Sequence, residues 1–151
     1  LRSNALRFRE ASHPVPDARG VAAAEQIVAL LDGLTERDLV LALISGGGAA
    51  LLTLPAPGVA LSDIQALTGQ LFFNDTATTE IYTLRKHLDR LKGGGLARLA
   101  HPAALVTLVL SDVVGSPLDS IASGPTVPDP SSFADALAIL ARYDLVARAP
   151  T

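Results

Sequence analysis

Three groups of residues carry chemistry that fits a phosphoryl-handling site. The first is Ser45-Gly46-Gly47-Gly48, directly after the apolar run 39–44. Glycines let successive backbone N–H groups converge on an anion, and a helix starting there adds its positive end. A tight strand-to-helix turn asks for the same glycines. No Gly-x-x-x-x-Gly-Lys-Ser/Thr is present, and the third glycine of Gly-x-Gly-x-x-Gly is missing, so neither a Walker A loop nor a dinucleotide fingerprint is present. The second group is Arg85-Lys86-His87 with Lys92. The chain's only two lysines fall within this seven-residue stretch. Helical spacing places Arg85, Asp89 and Lys92 on one face, with Lys86 and Arg90 on its flank. Cations at a helix end also offset the macrodipole, yet the glycine run 93–95 would let a phosphate approach. The third group is Asp112, just past the apolar run 105–110, with Asp119 and Asp129 further along. A carboxylate so placed can hold Mg²⁺ beside nucleotide phosphates; a turn or a helix cap also favours Asp. Ser123-Gly124-Pro125-Thr126 offers hydroxyls and N–H groups to a ligand, or forms a turn. His13, in a Pro-fixed loop, is placed to meet a substrate carboxylate or hydroxyl, or serves the loop alone.

Elements must bring these groups together. Apolar runs 39–44 and 104–110 predict strands buried on both faces, as in a parallel sheet, whose ligands bind at the carboxyl ends. Both polar loops then open on one edge. Val21, Ala24, Ile27, Val28 and Leu31 predict a helix over 18–34 with Asp17 as N-cap. Further helices are expected at 48–54, 61–71 and 78–92, the third with the stripe Ile81, Leu84, Leu88 and Leu91. Leu96 to Ala100 and Leu118 to Ala122 read as short helical pieces, and 132–143 as the last helix. The class is α/β, Rossmann-like, with a mostly parallel sheet flanked by helices.

Composition narrows the classes. The 151 residues are 49% hydrophobic and 18% charged, with net charge −3. This excludes a disordered segment and offers no basic face to nucleic acid or an anionic membrane. Cys is absent, so disulfides and thiolate sites are excluded. No apolar run approaches the roughly 20 residues that span a bilayer. A cytoplasmic enzyme is the default expectation. The absence of Met leads us to expect an internal piece of a longer protein.

The motifs also occur in a familiar order. Residues 10–17 (Glu-Ala-Ser-His-Pro-Val-Pro-Asp), 44–49, Arg85-Lys86-His87-Leu88 with Lys92-Gly93-Gly94, 110–115 and 121–129 resemble the glycerate 2-kinase family, some of whose members are labelled hydroxypyruvate reductase. The resemblance implies ATP- and Mg²⁺-dependent phosphorylation of D-glycerate at its 2-hydroxyl. It implies an incomplete Rossmann-like N-terminal domain, with a C-terminal MOFRL-type domain outside residues 1–151. On this reading Ser45, Gly46, Gly47 and Gly48, with Ser123, Gly124 and Thr126, cradle phosphates. Asp112 positions Mg²⁺ and His13 meets substrate. Arg85, Lys86 and Lys92 neutralise the transferring phosphoryl group or bind the carboxylate. An NAD(P)-linked reductase and an inactive phosphate-binding fragment are the rivals. Ala49 stands where the family usually has Ser, and Tyr82 where Asn is usual. Residues 72–84 resemble a translated sequencing adapter, which predicts a foreign stretch that destabilises its helix.

Overall fold

A computed structural model describes residues 7–73, 78–111, 115 and 117–146. Helix α1 spans Ala18–Leu31 and β1 Leu39–Ser45. Helices α2 (Gly48–Leu51), α3 (Leu61–Phe73), α4 (Thr78–Leu88) and α5 (Gly95–Ala100) follow before β2 (Ala104–Leu110). A 3₁₀ turn at Ile121–Ser123 and helix α6 (Phe133–Arg142) complete the order. The strands pair in parallel, from Leu39 opposite Ala104 to Ser45 opposite Leu110. Their carboxyl ends therefore share one edge, as expected. The α/β class and the parallel pairing agree with the sequence reading.

Asp17 begins α1 because its carboxylate accepts the Gly20 N–H at 3.1 Å. The apolar stripe of α1 then packs with Leu54, Leu91, Leu96 and Ala100 beneath Val40. A second core joins Leu67 and Leu71 of α3, Ile81 and Leu84 of α4, and Ala136, Ile139 and Leu140 of α6. Ser132 and Asp135 cap α6 reciprocally. Within the adapter-like stretch, Ile81 and Leu84 thus occupy core positions. Glu80 accepts the Tyr143 hydroxyl at 2.6 Å and pairs with Arg142.

Two expectations change. The strands are not covered on both faces: Leu39, Leu41, Leu43, Leu108 and Leu110 are each more than half exposed. Exposure alternates along both strands, because the helices packed on this two-stranded sheet cover one face only. Helix α4 also ends at Leu88 rather than at 92. Asp89 leaves the helix to bridge Pro55 in antiparallel fashion. The Ala56 N–H then bonds the Leu88 carbonyl at 2.9 Å, and the Arg90 N–H bonds the Leu54 carbonyl at 2.8 Å. Extended pairing with 54–56 thus replaces the next helical turn.

Glycines 93–95 follow that bridge, and all three are buried. A Cβ on Gly95 would lie 1.9 Å from the Arg90 carbonyl oxygen. Gly95→Ala is therefore expected to cost more than about 3 kcal/mol, since backbone must move to admit it. Gly33→Ala, at φ +77 in open space, should cost only about 1–2 kcal/mol. Urea unfolding of both variants compares them. A second expectation concerns acid. Arg19 above all, against the cost of burial and with the help of the Gly20 N–H and Ser12, holds the Asp17 carboxyl at about 2 instead of 3.8. Its contribution to stability is complete above 3.8 and disappears as pH falls through about 2. Asp17→Asn keeps the cap acceptor but should flatten that part of the stability–pH curve, read by denaturant midpoints across the acid range.

Candidate functional site

Beyond Ser45 the chain turns at Gly46 and Gly47, the latter at φ +80, and enters α2. The Gly47 carbonyl accepts the Ala50 N–H at 3.1 Å. The Gly46 and Gly47 N–H groups donate to no carbonyl among the described residues. The His13 ring lies against this turn: a Cβ on Gly47 would meet its Cδ2 at 3.4 Å and Nε2 at 3.5 Å. Gly48 faces the 3₁₀ turn, where an added Cβ would lie 3.0 Å from Ala122 Cβ.

Ala122, Ser123 and Gly124 hold φ of 52, 62 and 58 in succession. The Gly93 N–H bonds the Ser123 carbonyl at 3.0 Å, and the Gly94 N–H bonds the Gly124 carbonyl at 2.8 Å. The second glycine triplet is therefore a packing seam rather than an open approach for phosphate. Ser123 is fully buried, and its Oγ has no hydrogen-bond partner among the described residues. Gly124 packs against Asp119. Thr126 lines a cavity of about 330 Å³ under the sheet with Ile44, Thr107, Val109 and Ile121.

The three candidate cations have three different environments. Lys92 Nζ is buried against Asp89 Oδ2 at 2.6 Å and also donates to the Leu52 carbonyl at 2.9 Å. Burial pushes its pKa down, against the pull of Asp89. The same carboxylate accepts the Leu54 and Leu91 N–H groups, each at 2.9 Å. Lys92 is thus past the end of α4, not on its face, and fully engaged. Lys86 Nζ is buried between Asp119, at 3.0 Å, and Asp129, at 3.3 Å. Burial raises the Asp129 pKa, but the Ser131 N–H and hydroxyl, with Lys86, outweigh it and hold the carboxyl below its ordinary range. His87 Nε2 lies 3.2 Å from Ser131 Oγ and 3.7 Å from Asp129. Arg85, also buried, donates to the Pro14 carbonyl at 3.3 Å. No carboxylate pairs with it among the described residues.

The structure thus brings His13, the 46–48 turn and the 122–124 turn together, with Arg85 joined through Pro14. Asp112 lies outside the described residues. Among those described, no group of three or more His, Cys, Asp or Glu is placed to hold a metal ion, and Asp119 and Asp129 both face Lys86. The expected Mg²⁺ therefore finds no fitting donor set there. Sequence reasoning missed Ser131 and the Pro14 carbonyl. The Asp-x-Ser spacing of an Asx turn at 129–131 was a usable signal for the first; nothing local signals the second.

Comparison with known proteins follows this geometry. The family described as Domain of unknown function (DUF4147) matches residues 2–151. The chain is 48% identical over 136 residues to a D-glycerate 2-kinase of Thermotoga maritima, covering 90% of this chain and 33% of that protein. It is 53% identical over 140 residues to a putative hydroxypyruvate reductase of Agrobacterium vitis, covering 93% and 32%. The crystal structure of glycerate kinase from Thermotoga maritima superposes with a TM-score of 0.89 at 46% identity, over 95% of this chain and 34% of that one. The chain thus spans about a third of the length of these relatives.

Removing one partner of a buried ion pair leaves the other charge without compensation. Lys92→Met is expected to cost about 3–5 kcal/mol by denaturant unfolding. Adding Asp89→Asn should recover part of it, because the stranded charge is then gone.

Proposed function

The chain belongs to the family described as Domain of unknown function (DUF4147), and from that premise we propose that it is part of a kinase transferring a phosphoryl group from ATP to the 2-hydroxyl of D-glycerate. One observation carries this reading. The glycine turn, the His13 loop and the left-handed turn at 122–124 meet at the carboxyl edge of two parallel strands, where ligands of open α/β sheets bind. The similarity to glycerate kinases supports this reaction. Phosphoryl transfer asks chiefly for positioning and for fixed positive charge around the transferring group. The Gly46 and Gly47 N–H groups, without backbone acceptors among the described residues, would bind phosphate oxygens, with Ser45 at the start of the turn. Lys86 is fixed by two carboxylates and braces the segment that carries the 122–124 turn. Lys92 acts indirectly, by holding the 52–54 segment under α2. His13 borders the turn from the side where an acceptor hydroxyl would enter. ATP brings the phosphoryl group, and Mg²⁺ would accompany it.

The expected result for a complete protein carrying this chain is ADP formation from D-glycerate, ATP and Mg²⁺. Oxidation of NAD(P)H by hydroxypyruvate, without ADP formation in the first assay, would reverse the reading. The 151-residue chain alone should show no turnover. Its sheet has a bare apolar face, and transfer chemistry needs a closed, water-excluding cleft.

A further inference from the structure

We infer that Arg85 is the anchor for the ligand's oxyanion, the carboxylate of a hydroxy acid or a phosphate of the nucleotide, and that Lys86 and Lys92 are not. The choice of those two ligand classes rests on the kinase reading; the anion site itself rests on geometry. Arg85 is 8% exposed. A guanidinium carries five donors in a planar fork, and burial without acceptors is costly. Only the Pro14 carbonyl, at 3.3 Å, accepts from it among the described residues.

The charges around it do not balance. Asp89 is the carboxylate acting on Arg85, and Lys92 already holds that carboxylate at 2.6 Å. Among the described residues, two buried cations therefore share one buried anion, leaving one positive charge. Asp119 and Asp129 are turned to Lys86. The second cation is thus supplied with counter-charge and the third is saturated. Among the described residues, Arg85 alone of the three cations has no carboxylate at ion-pair distance, and its planar fork matches an oxyanion in two-pronged fashion.

Its surroundings are suited to a ligand. The Pro14 carbonyl belongs to the exposed loop whose His13 ring rests on Gly47. Gly46 and Gly47 keep N–H groups free of backbone acceptors among the described residues. An anion entering between loop and turn would meet the guanidinium and could meet those amides. The buried charge is then compensated only when the site is filled.

The test uses thermal midpoints of a complete protein carrying this chain and of its Arg85→Met and Arg85→Lys variants. Ligands are sodium D-glycerate, sodium phosphate and glycerol, with ionic strength matched by sodium chloride. Without ligand, Arg85→Met should melt no lower than the parent, because it removes a buried charge lacking a partner. Glycerate or phosphate should raise the parent's midpoint, leave Arg85→Met unmoved, and bind Arg85→Lys roughly tenfold more weakly or worse. Glycerol should move none of them. A larger effect of glycerate assigns the carboxylate; a larger effect of phosphate assigns the phosphate. Equal anion shifts in the parent and Arg85→Met, or no anion shift in the parent, would overturn the inference. So would an Arg85→Met chain too unstable to measure, since the fold itself would then need the charge. Failure of the complete protein to form ADP would sink the kinase reading while leaving an anion-dependent midpoint standing. Conversely, an active kinase whose KM for glycerate and for ATP is unchanged by Arg85→Lys would sink the anchor and leave the kinase.

Discussion

The Asp89 carboxylate decides where three stretches of chain meet. It accepts the N–H groups of Leu54 and Leu91 and the ammonium of Lys92. Lys92 in turn reaches the Leu52 carbonyl. A buried carboxylate is stable only when its oxygens are filled, and here the filling partners come from the segment after α2 and from the segment after α4. That requirement ends α4 at Leu88, draws 54–56 alongside, and delivers Gly93 and Gly94 to the carbonyls of Ser123 and Gly124. The edge that carries the glycine turn is therefore braced from beneath by one ion pair.

The same constraint separates cations that look alike in one dimension. Arg85, Lys86 and Lys92 lie within eight residues, yet each meets different partners. Lys92 is sealed against Asp89. Lys86 is suspended between Asp119 and Asp129, with Ser131 orienting the second. Arg85 has a carbonyl and no paired carboxylate among the described residues. Where desolvation is similar, the counter-ion decides whether a buried charge serves the fold or awaits a ligand.

Much of the frame was legible in the sequence because local rules wrote it. The Asp17 cap, the α1 stripe, both strands and the capped final helix follow from spacing and side-chain chemistry. The shared edge of the two loops follows from parallel pairing. What local rules could not show were long-range contacts. The end of α4 depends on a partner 35 residues away, so helical periodicity carried the expectation to 92. The 93–95 triplet has the composition of an open loop but is buried by Arg90, Val127 and Asp129. The strands are apolar enough to be covered twice, yet the described helices cover one face only. Within the site, the sequence singled out His13 and the 46–48 turn separately, and the contact between them needed the fold.

The 122–124 turn shows how the glycines and the strain depend on each other. A left-handed conformation costs a non-glycine residue about 1–2 kcal/mol, and Ala122 and Ser123 both adopt it. Three features hold them there: the Gly93 and Gly94 N–H bonds, the buried Ile121 side chain, and the close approach of Ala122 to Gly48. A Cβ on Gly48 would crowd that approach, lying 3.0 Å from Ala122 Cβ. The glycine after β1 is thus favoured by packing against a strained turn as well as by any ligand. This explains why the bland and the functional readings of the glycine triplet could not be separated from its sequence. They describe two sides of one arrangement: Gly48 fits the strained turn, while the Gly46 and Gly47 amides have no backbone acceptors among the described residues. Strain of this kind persists only where surrounding contacts over-determine it, and it concentrates at functional edges. Here the over-determining contacts trace back through Gly93 and Gly94 to Lys92 and Asp89.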